Sequence, residues 1–396
     1  MKKTFISFIL SFILISLAHG QFLYVHQSSG KDSFNIMDID SITFHKGEVQ
    51  QPEITRFVGG DISMLPQYEA HGNTYYDING KKIDDVLSYF KELGQNSMRV
   101  RLFVDPTNAS TEDKASGVVQ DLKYVIQLGK RIKQQGLQFM LDFHYSDSWA
   151  DPAKQTTPVS WRNASSKELC DTLYNYTKRC LSVLNQNGAT PDFIQIGNEI
   201  SYGMLWNTGK VYATSANNWD VFSNFLKSAS KACREVCPKA KIIIHTERSG
   251  NASVSQQYYQ RIKDNNIDYD IIGLSYYPLW HNDIATLSNT LSTLERSFPE
   301  RTIQIVETAY NYQWYPDDAT YDFRNVWPIT PDGQKKFLAD LITELKKHPN
   351  VNGLYWWFPE ENGNGVIGNW LNRGLFDDNN GKALPALYIL SDFLNE

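Results

Sequence analysis

Two stretches of the chain share one shape and could share one reaction. FIQIGNEI, residues 193–200, opens on the apolar Phe193, Ile194 and Ile196 and ends in Gly197, Asn198 and Glu199. IQIVETAY, residues 303–310, is a second apolar run, and it delivers Glu307. Charged residues are rarely buried unless something requires them there, so a carboxyl ending an apolar strand is a candidate for chemistry. Either glutamate alone could be an ordinary strand-end residue that pairs with an arginine or caps the next helix. Two together match the needs of glycosidic-bond hydrolysis: a protonated carboxyl for the leaving oxygen and a carboxylate on the other side of the anomeric carbon. Carboxyls about 5–5.5 Å apart give retention through a covalent intermediate, and about 6.5–9.5 Å gives inversion.

The elements that must position this pair alternate along the chain. Apolar, strand-like runs occur at 56–60, 97–103, 137–143, 192–197, 241–245, 270–277, 302–307 and 351–358. Amphipathic stretches of helical period lie between them, at 83–93, 119–135, 167–184, 219–236, 287–298 and 333–346. Eight strands with intervening helices predict an α/β chain folded as a (β/α)8 barrel. A doubly wound sheet is the alternative, but no glycine-rich phosphate loop follows any strand. In a barrel the active site sits at the C-terminal ends of the strands. Those ends carry Arg99 and Arg101, Asp142 and His144, Asn198 and Glu199, Tyr276 and Tyr277, Glu307, and Trp356 and Trp357. If Glu199 ends the fourth strand and Glu307 the seventh, they face each other over the barrel mouth.

Roles follow from residue type. Arg99 and a tyrosine on the sixth strand, Tyr276 or Tyr277, would hold Glu307 ionised as nucleophile. Burial and the nearby negative charge would keep Glu199 protonated. Asn198 can hydrogen-bond a sugar 2-hydroxyl. Arg99 and Arg101 share one face of their strand, and one of them could be structural. His144 is expected at the rim. Trp149, Trp161, Trp280 and Trp357 offer flat faces for sugar rings, although Trp161 and Trp280 could equally anchor loops. Asp147 and Asp151 are expected to fix their own loop.

At this point the chain resembles the clan A retaining glycosidases, in which the acid/base glutamate follows an asparagine on strand four. More narrowly, LDFHYSDSWADPAKQ at 141–155 resembles the arabinogalactan endo-β-1,4-galactanases of glycoside hydrolase family 53. GGDISML at 59–65, YYDINGK at 75–81, RVRLFVDP at 99–106 and SYYPLWH at 275–281 do so as well, in the family's order. The resemblance implies Glu199 as acid/base, Glu307 as nucleophile, and β-1,4-galactan or arabinogalactan as substrate. A mannanase or cellulase of the same clan is the alternative enzyme, and a non-catalytic glycan-binding barrel the alternative class. Two departures stand out. Trp357 is followed by Phe358 and Pro359 rather than Glu-Pro, and then by EENGNG at 360–365. Bacterial members often bind calcium after strand seven, but residues 311–332 offer only Asp317, Asp318 and Asp322 without the ligand spacing. No metal or other cofactor is therefore expected.

The remaining expectations concern organisation. Lys2 and Lys3, an apolar run at 5–17 and Ala18-His19-Gly20 make residues 1–20 a secretory signal peptide, so export is expected. The run is too short for a comfortable membrane span. Residues 21–52 read as a small hairpin or linker, with FLYV and SITF flanking a Ser-Ser-Gly turn. Residues 53–396 form the barrel. Net charge is −6, with scattered signs, which argues against nucleic acid; a monomer is expected. Of the 4 cysteines, Cys170 and Cys180 lie on one predicted helix, about 15 Å apart along its axis, too far to bridge. A bridge from Cys180 to Cys233 or Cys237 is open, and free buried thiols are the simpler reading.

Overall fold

The computed structural model describes residues 22–27, 30–35, 55–363, 367 and 372–395. The expected signal peptide at 1–20 lies outside them. The chain divides into two units, Met1–Pro52 and Glu53–Glu396. In the first, Phe22–Gln27 pairs antiparallel with Gly30–Asn35. The SITF stretch expected in this hairpin lies outside the described residues.

The second unit is a closed, all-parallel barrel of eight strands. In chain order these are β1 (Phe57–Asp61), β2 (Ser97–Leu102), β3 (Gln138–Phe143), β4 (Phe193–Ile196), β5 (Lys241–Thr246), β6 (Ile271–Tyr276), β7 (Thr302–Thr308) and β8 (Val351–Trp357). The ring closes where β8 pairs with β1, Trp357 lying opposite Asp61. Outside it pack α1 (Val86–Glu92), α2 (Leu122–Gln134), α3 (Ser166–Gln186), α4 (Trp219–Val236), α5 (Ala252–Asp264), α6 (Ile284–Ser297) and α7 (Pro331–Leu345). Eight parallel strands with such helices make the (β/α)8 barrel that the sequence pattern predicts. The helix starts are chemically marked, because the first backbone N–H groups of a helix lack partners. Asp85, Asp121, Ser165, Asn251, Asp283 and Thr330 each accept a backbone N–H as N-cap, and Ser165 with Glu168 forms a full capping box.

The barrel interior changes character along its axis. Met140, Phe193, Ile243, Ile271, Val306 and Tyr355 form an apolar cluster inside the ring. Two residues further along their strands, Asp142, Gln195 and His245 point the same way and are fully buried. The interior therefore turns from apolar to polar toward the C-terminal mouth. On β7 the pairing register slips between Ile305 and Thr308. Such a bulge re-aims a side chain, and here Val306 stays in the interior cluster while Glu307 also turns inward. After β8, the 3-10 segment Pro385–Leu394 returns to pack on α7 and β1. Arg56, just before β1, donates to the Asn395 carbonyl at 3.2 Å and lies over the Phe393 ring.

Close approach of β1 and β2 depends on a missing side chain. A Cβ on Gly59 would lie 1.7 Å from the Ser97 carbonyl oxygen. Gly59→Ala is expected to destabilise the fold at or above the ~1–3 kcal/mol typical of an overpacked core. The urea midpoint measures this, and an unchanged midpoint would show that the two strands can separate at no cost.

Candidate active site

The buried Arg99 on β2 is the hub of the mouth. Its Nη1 meets Asp61 Oδ2 on β1 at 2.7 Å. Its Nη2 meets Asp142 Oδ2 on β3 and Glu307 Oε1 on β7, each at 2.8 Å, and also donates to Asn198 Oδ1 at 2.8 Å. Arg101 Nη2 binds the other Asp61 oxygen at 2.8 Å, while its guanidinium lies over the rings of Trp149 and Phe358. His144 accepts the Ala150 N–H at Nδ1 and so donates from Nε2 to Asp142 Oδ2 at 3.1 Å. Asn198 is fixed at both ends, because its amide also donates to the Ala150 carbonyl.

Three rim residues adopt left-handed backbone conformations that side chains seldom favour: Tyr145, Glu199 and Phe358, with φ of 49°, 46° and 58°. Such strain clusters at sites where the surroundings dictate a direction. Gly197, with φ of 104°, makes the turn that precedes Asn198 and Glu199.

A cleft of about 390 Å³ opens on this network. Of the residues expected there, Arg99, Arg101, His144, Trp149, Asn198, Glu199, Tyr277, Glu307 and Trp357 line it. Trp280 stands beside it, its ring against Tyr277 and under the Arg373 guanidinium. Tyr276 is not brought in. Since Tyr277 faces the cleft, its neighbour points outward, stacks on Phe337 of α7 and donates to the Asn282 carbonyl. Trp356 likewise points away, its indole N–H bonded to the Arg373 carbonyl, and Trp161 packs edge-on against Tyr176. Asp147 fixes loops, accepting from the backbones of Asp105 and Val159. In the loop after β8, Glu360 accepts the Met64 N–H and Glu361 the Gly363 N–H. Burial, then the Asp61 charge, pushes the Glu360 carboxyl up to about 8.

Sequence reading missed Asp61, Gln195, Glu247, Ser275 and Arg373, and did not use His245. Glu247 carried the same signal as the chosen pair, since KIIIHTE is also an apolar run ending in a glutamate. It lies behind Glu199 and accepts from Ser201 Oγ at 2.7 Å. The four cysteines are free thiols. Among the described residues no three His, Cys, Asp or Glu side chains converge as metal ligands, and no helix is long and apolar enough to cross a membrane.

The family model for glycosyl hydrolase family 53 matches residues 57–390. The chain belongs to glycosyl hydrolase family 53. It is 34% identical over 324 residues to a probable arabinogalactan endo-beta-1,4-galactanase A of Neosartorya fischeri, covering 78% of this chain and 85% of that one. An arabinogalactan endo-beta-1,4-galactanase of Cellvibrio japonicus is 32% identical over 358 residues, 85% of this chain and 91% of that one. Among solved structures, a family 53 catalytic domain of Ignisphaera aggregans superposes with a TM-score of 0.77 at 32% identity, covering 88% of this chain and 98% of that one.

In this family 53 glycosidase the two glutamates have unlike surroundings. Burial, then the Glu307 charge, raises the Glu199 carboxyl well above the usual carboxylate range, opposed by a hydrogen bond from Ser275. Glu307 is raised too, by burial first; Arg99 opposes this, the Asp142 charge adds to it, and the Tyr277 hydroxyl, which donates to Oε2 at 2.9 Å, opposes it again. Glu307 has a cation beside it and Glu199 has none among the described residues, so a proton shared by the two belongs on Glu199.

Asp61 supplies a pH test of the hub. Burial opposes its ionisation, but Arg101, Arg99 and two bonds from Ser63 together hold its carboxyl below its ordinary value. Its contribution is thus fully present above the unfolded value of about 3.9 and is lost as pH falls through the lower folded value. Asp61→Asn leaves two arginines short of a counter-charge and is expected to cost about 3–5 kcal/mol at pH 7. In urea titrations the deficit should shrink on acidification below pH ~4. A deficit that stays constant with pH would mean that Asp61 acts by shape alone.

Proposed function

We propose that this glycosidase cuts β-1,4-galactosidic bonds within galactan or arabinogalactan, the side chains of pectin, with retention of configuration. The observation that carries the reading is Glu307 held between Arg99 and Tyr277 in the same cleft as a Glu199 that has no cation partner among the described residues. Fixed donors on both oxygens suit a carboxylate that must attack and later leave. In the first step a Glu307 oxygen bonds to the anomeric carbon as the glycosidic C–O bond breaks, and the Glu199 proton goes to the departing sugar oxygen. In the second step water attacks that carbon, its proton passes to Glu199, and Glu307 departs as carboxylate. Asn198 has one amide hydrogen left for the sugar 2-hydroxyl, and Trp149 and Trp357 offer faces for sugar rings.

The galactan assignment is supported by the activity for which the relatives are named, and the residues supplying the chemistry are common to clan A. Activity confined to carboxymethylcellulose or mannan would therefore replace galactan with another glycan. An N-terminus of signal-peptide composition supports export, and the enzyme is read as a monomer. Two carboxylates suffice for the reaction without a metal, so the rate on galactan should survive exhaustive chelation; loss restored by calcium would overturn that.

The two carboxyls should separate by substrate. Glu199→Gln should lose galactan hydrolysis, by about 100-fold or more, yet still react with an aryl galactoside whose leaving group needs no proton. Azide should restore its turnover with a β-configured product. Glu307→Gln should fail on both substrates, and azide rescue should yield the α-azide. Swapped behaviour reverses the assignment, and near-normal galactan hydrolysis by either variant removes that residue from catalysis. Proton NMR of the first-formed reducing end should show the β-anomer; the α-anomer would mean inversion.

A further inference from the structure

One oxygen of Glu199, Oε1, is held by a chain of hydrogen bonds whose polarity follows from the fixed donors along it. Ser275 Oγ on β6 donates to Glu199 Oε1 at 2.6 Å. His245 Nε2 on β5 lies 2.8 Å from the same Oγ. The other ring nitrogen, Nδ1, receives the Glu199 backbone N–H at 3.3 Å and lies 3.0 Å from the Gln195 amide nitrogen. It also lies 3.1 Å from Asn198 Oδ1, but both lone pairs of that oxygen are taken by Arg99 Nη2 and Gln195 Nε2. A backbone N–H can only donate, so Nδ1 is an acceptor and the proton of this imidazole sits on Nε2. The Gln195 amide is oriented the same way, since its Oε1 faces Arg99 Nε at 3.4 Å and its Nε2 donates to Asp142 at 2.6 Å. Nε2–H therefore donates to Ser275 Oγ, and the serine hydrogen is committed to Glu199.

We infer that Ser275 and His245 are positioning residues that fix which oxygen of Glu199 carries the acid's proton. This rests on the acid/base role given to Glu199 above. With Oε1 always an acceptor, the proton is confined to Oε2, the oxygen left for the sugar. No proton moves along the relay; it stays a fixed dipole chain through both steps. When Glu199 has given up its proton, the serine bond remains and stabilises the carboxylate. A protonated His245 would break the arrangement, because an Nδ1–H would crowd the Glu199 and Gln195 N–H groups and compete with Arg99 and Gln195 for Asn198 Oδ1. Burial first, then Arg99, His144 and His281, keeps the ring neutral by lowering its pKa well below 6.5. The other ionisable groups acting on Glu199 are Glu307 from β7, Glu247 after β5 and Asp151 from the loop after β3, with the Tyr277 hydroxyl after β6.

The test compares Ser275→Ala with the unsubstituted enzyme on galactan and on an aryl β-galactobioside with an acidic leaving group. Galactan hydrolysis needs the proton and should fall by about tenfold or more, whereas the aryl substrate should lose less than about twofold. The basic limb of the pH profile should move to higher pH, because a bond to the charged form has been removed. Equal losses on both substrates with an unmoved limb would show a merely structural serine and overturn the inference. Where Ser275→Ala does not fold, nitrogen-15 NMR of histidine in the unsubstituted protein decides. The expected His245 signal is protonated at Nε2 and does not titrate between pH 5 and 8; an Nδ1–H form or a titrating ring overturns the inference. An unsubstituted enzyme inactive on galactan would instead contradict the proposed function and leave the histidine readout standing.

Discussion

Burying a guanidinium costs several kcal/mol unless carboxylates surround it, and Arg99 has three, contributed by β1, β3 and β7. That one cation spans strands that are not all neighbours, so it sets the relative height of the strand ends as well as the charge of the site. Arg101 shares Asp61 with it, and His144 shares Asp142. The nucleophile candidate is thus one member of a network that the fold must satisfy in any case. The acid candidate is set apart by having a serine in place of an arginine. Two carboxyls of the same type acquire unlike protonation through unlike neighbours.

Most of this architecture is legible in the sequence because parallel strands buried on both faces read as plain apolar runs. The eight runs lie within a residue or two of the observed strands, and the stretch at 219–236 coincides with α4. Helix α5 is not among the amphipathic stretches singled out in the sequence. Its inner face is Ser255, Tyr258, Tyr259 and Ile262, which a hydrophobic pattern undercounts because serine and tyrosine carry polar atoms. The tyrosines satisfy those atoms on backbone carbonyls: Tyr258 on Ile200 in the turn after β4, and Tyr259 on Ile244 of β5 and Gly273 of β6.

The site was legible where chemistry ends a strand and illegible where it hides inside one. Glu199 and Glu307 announce themselves, while Gln195 looks like a lone polar residue in an apolar run. Which of two adjacent tyrosines faces inward depends on register, and period-two alternation alone does not give the phase; the structure selects Tyr277 over Tyr276. Glu307 is the instructive case, since strict alternation from Val306 would turn it outward. The slipped register on β7 brings it in.

The return of Pro385–Leu394 onto β1 also bears on the order of events during synthesis. A ribosome releases β1 first and this segment more than 300 residues later. Until β8 is made, the edge of β1 has no partner on that side, and until β7 is made Arg99 lacks one of its three carboxylates. The candidate catalytic mouth therefore cannot assemble piecemeal on a growing chain. Vectorial synthesis yields an inert intermediate, and competence arrives when the seam between last strand and first is shut.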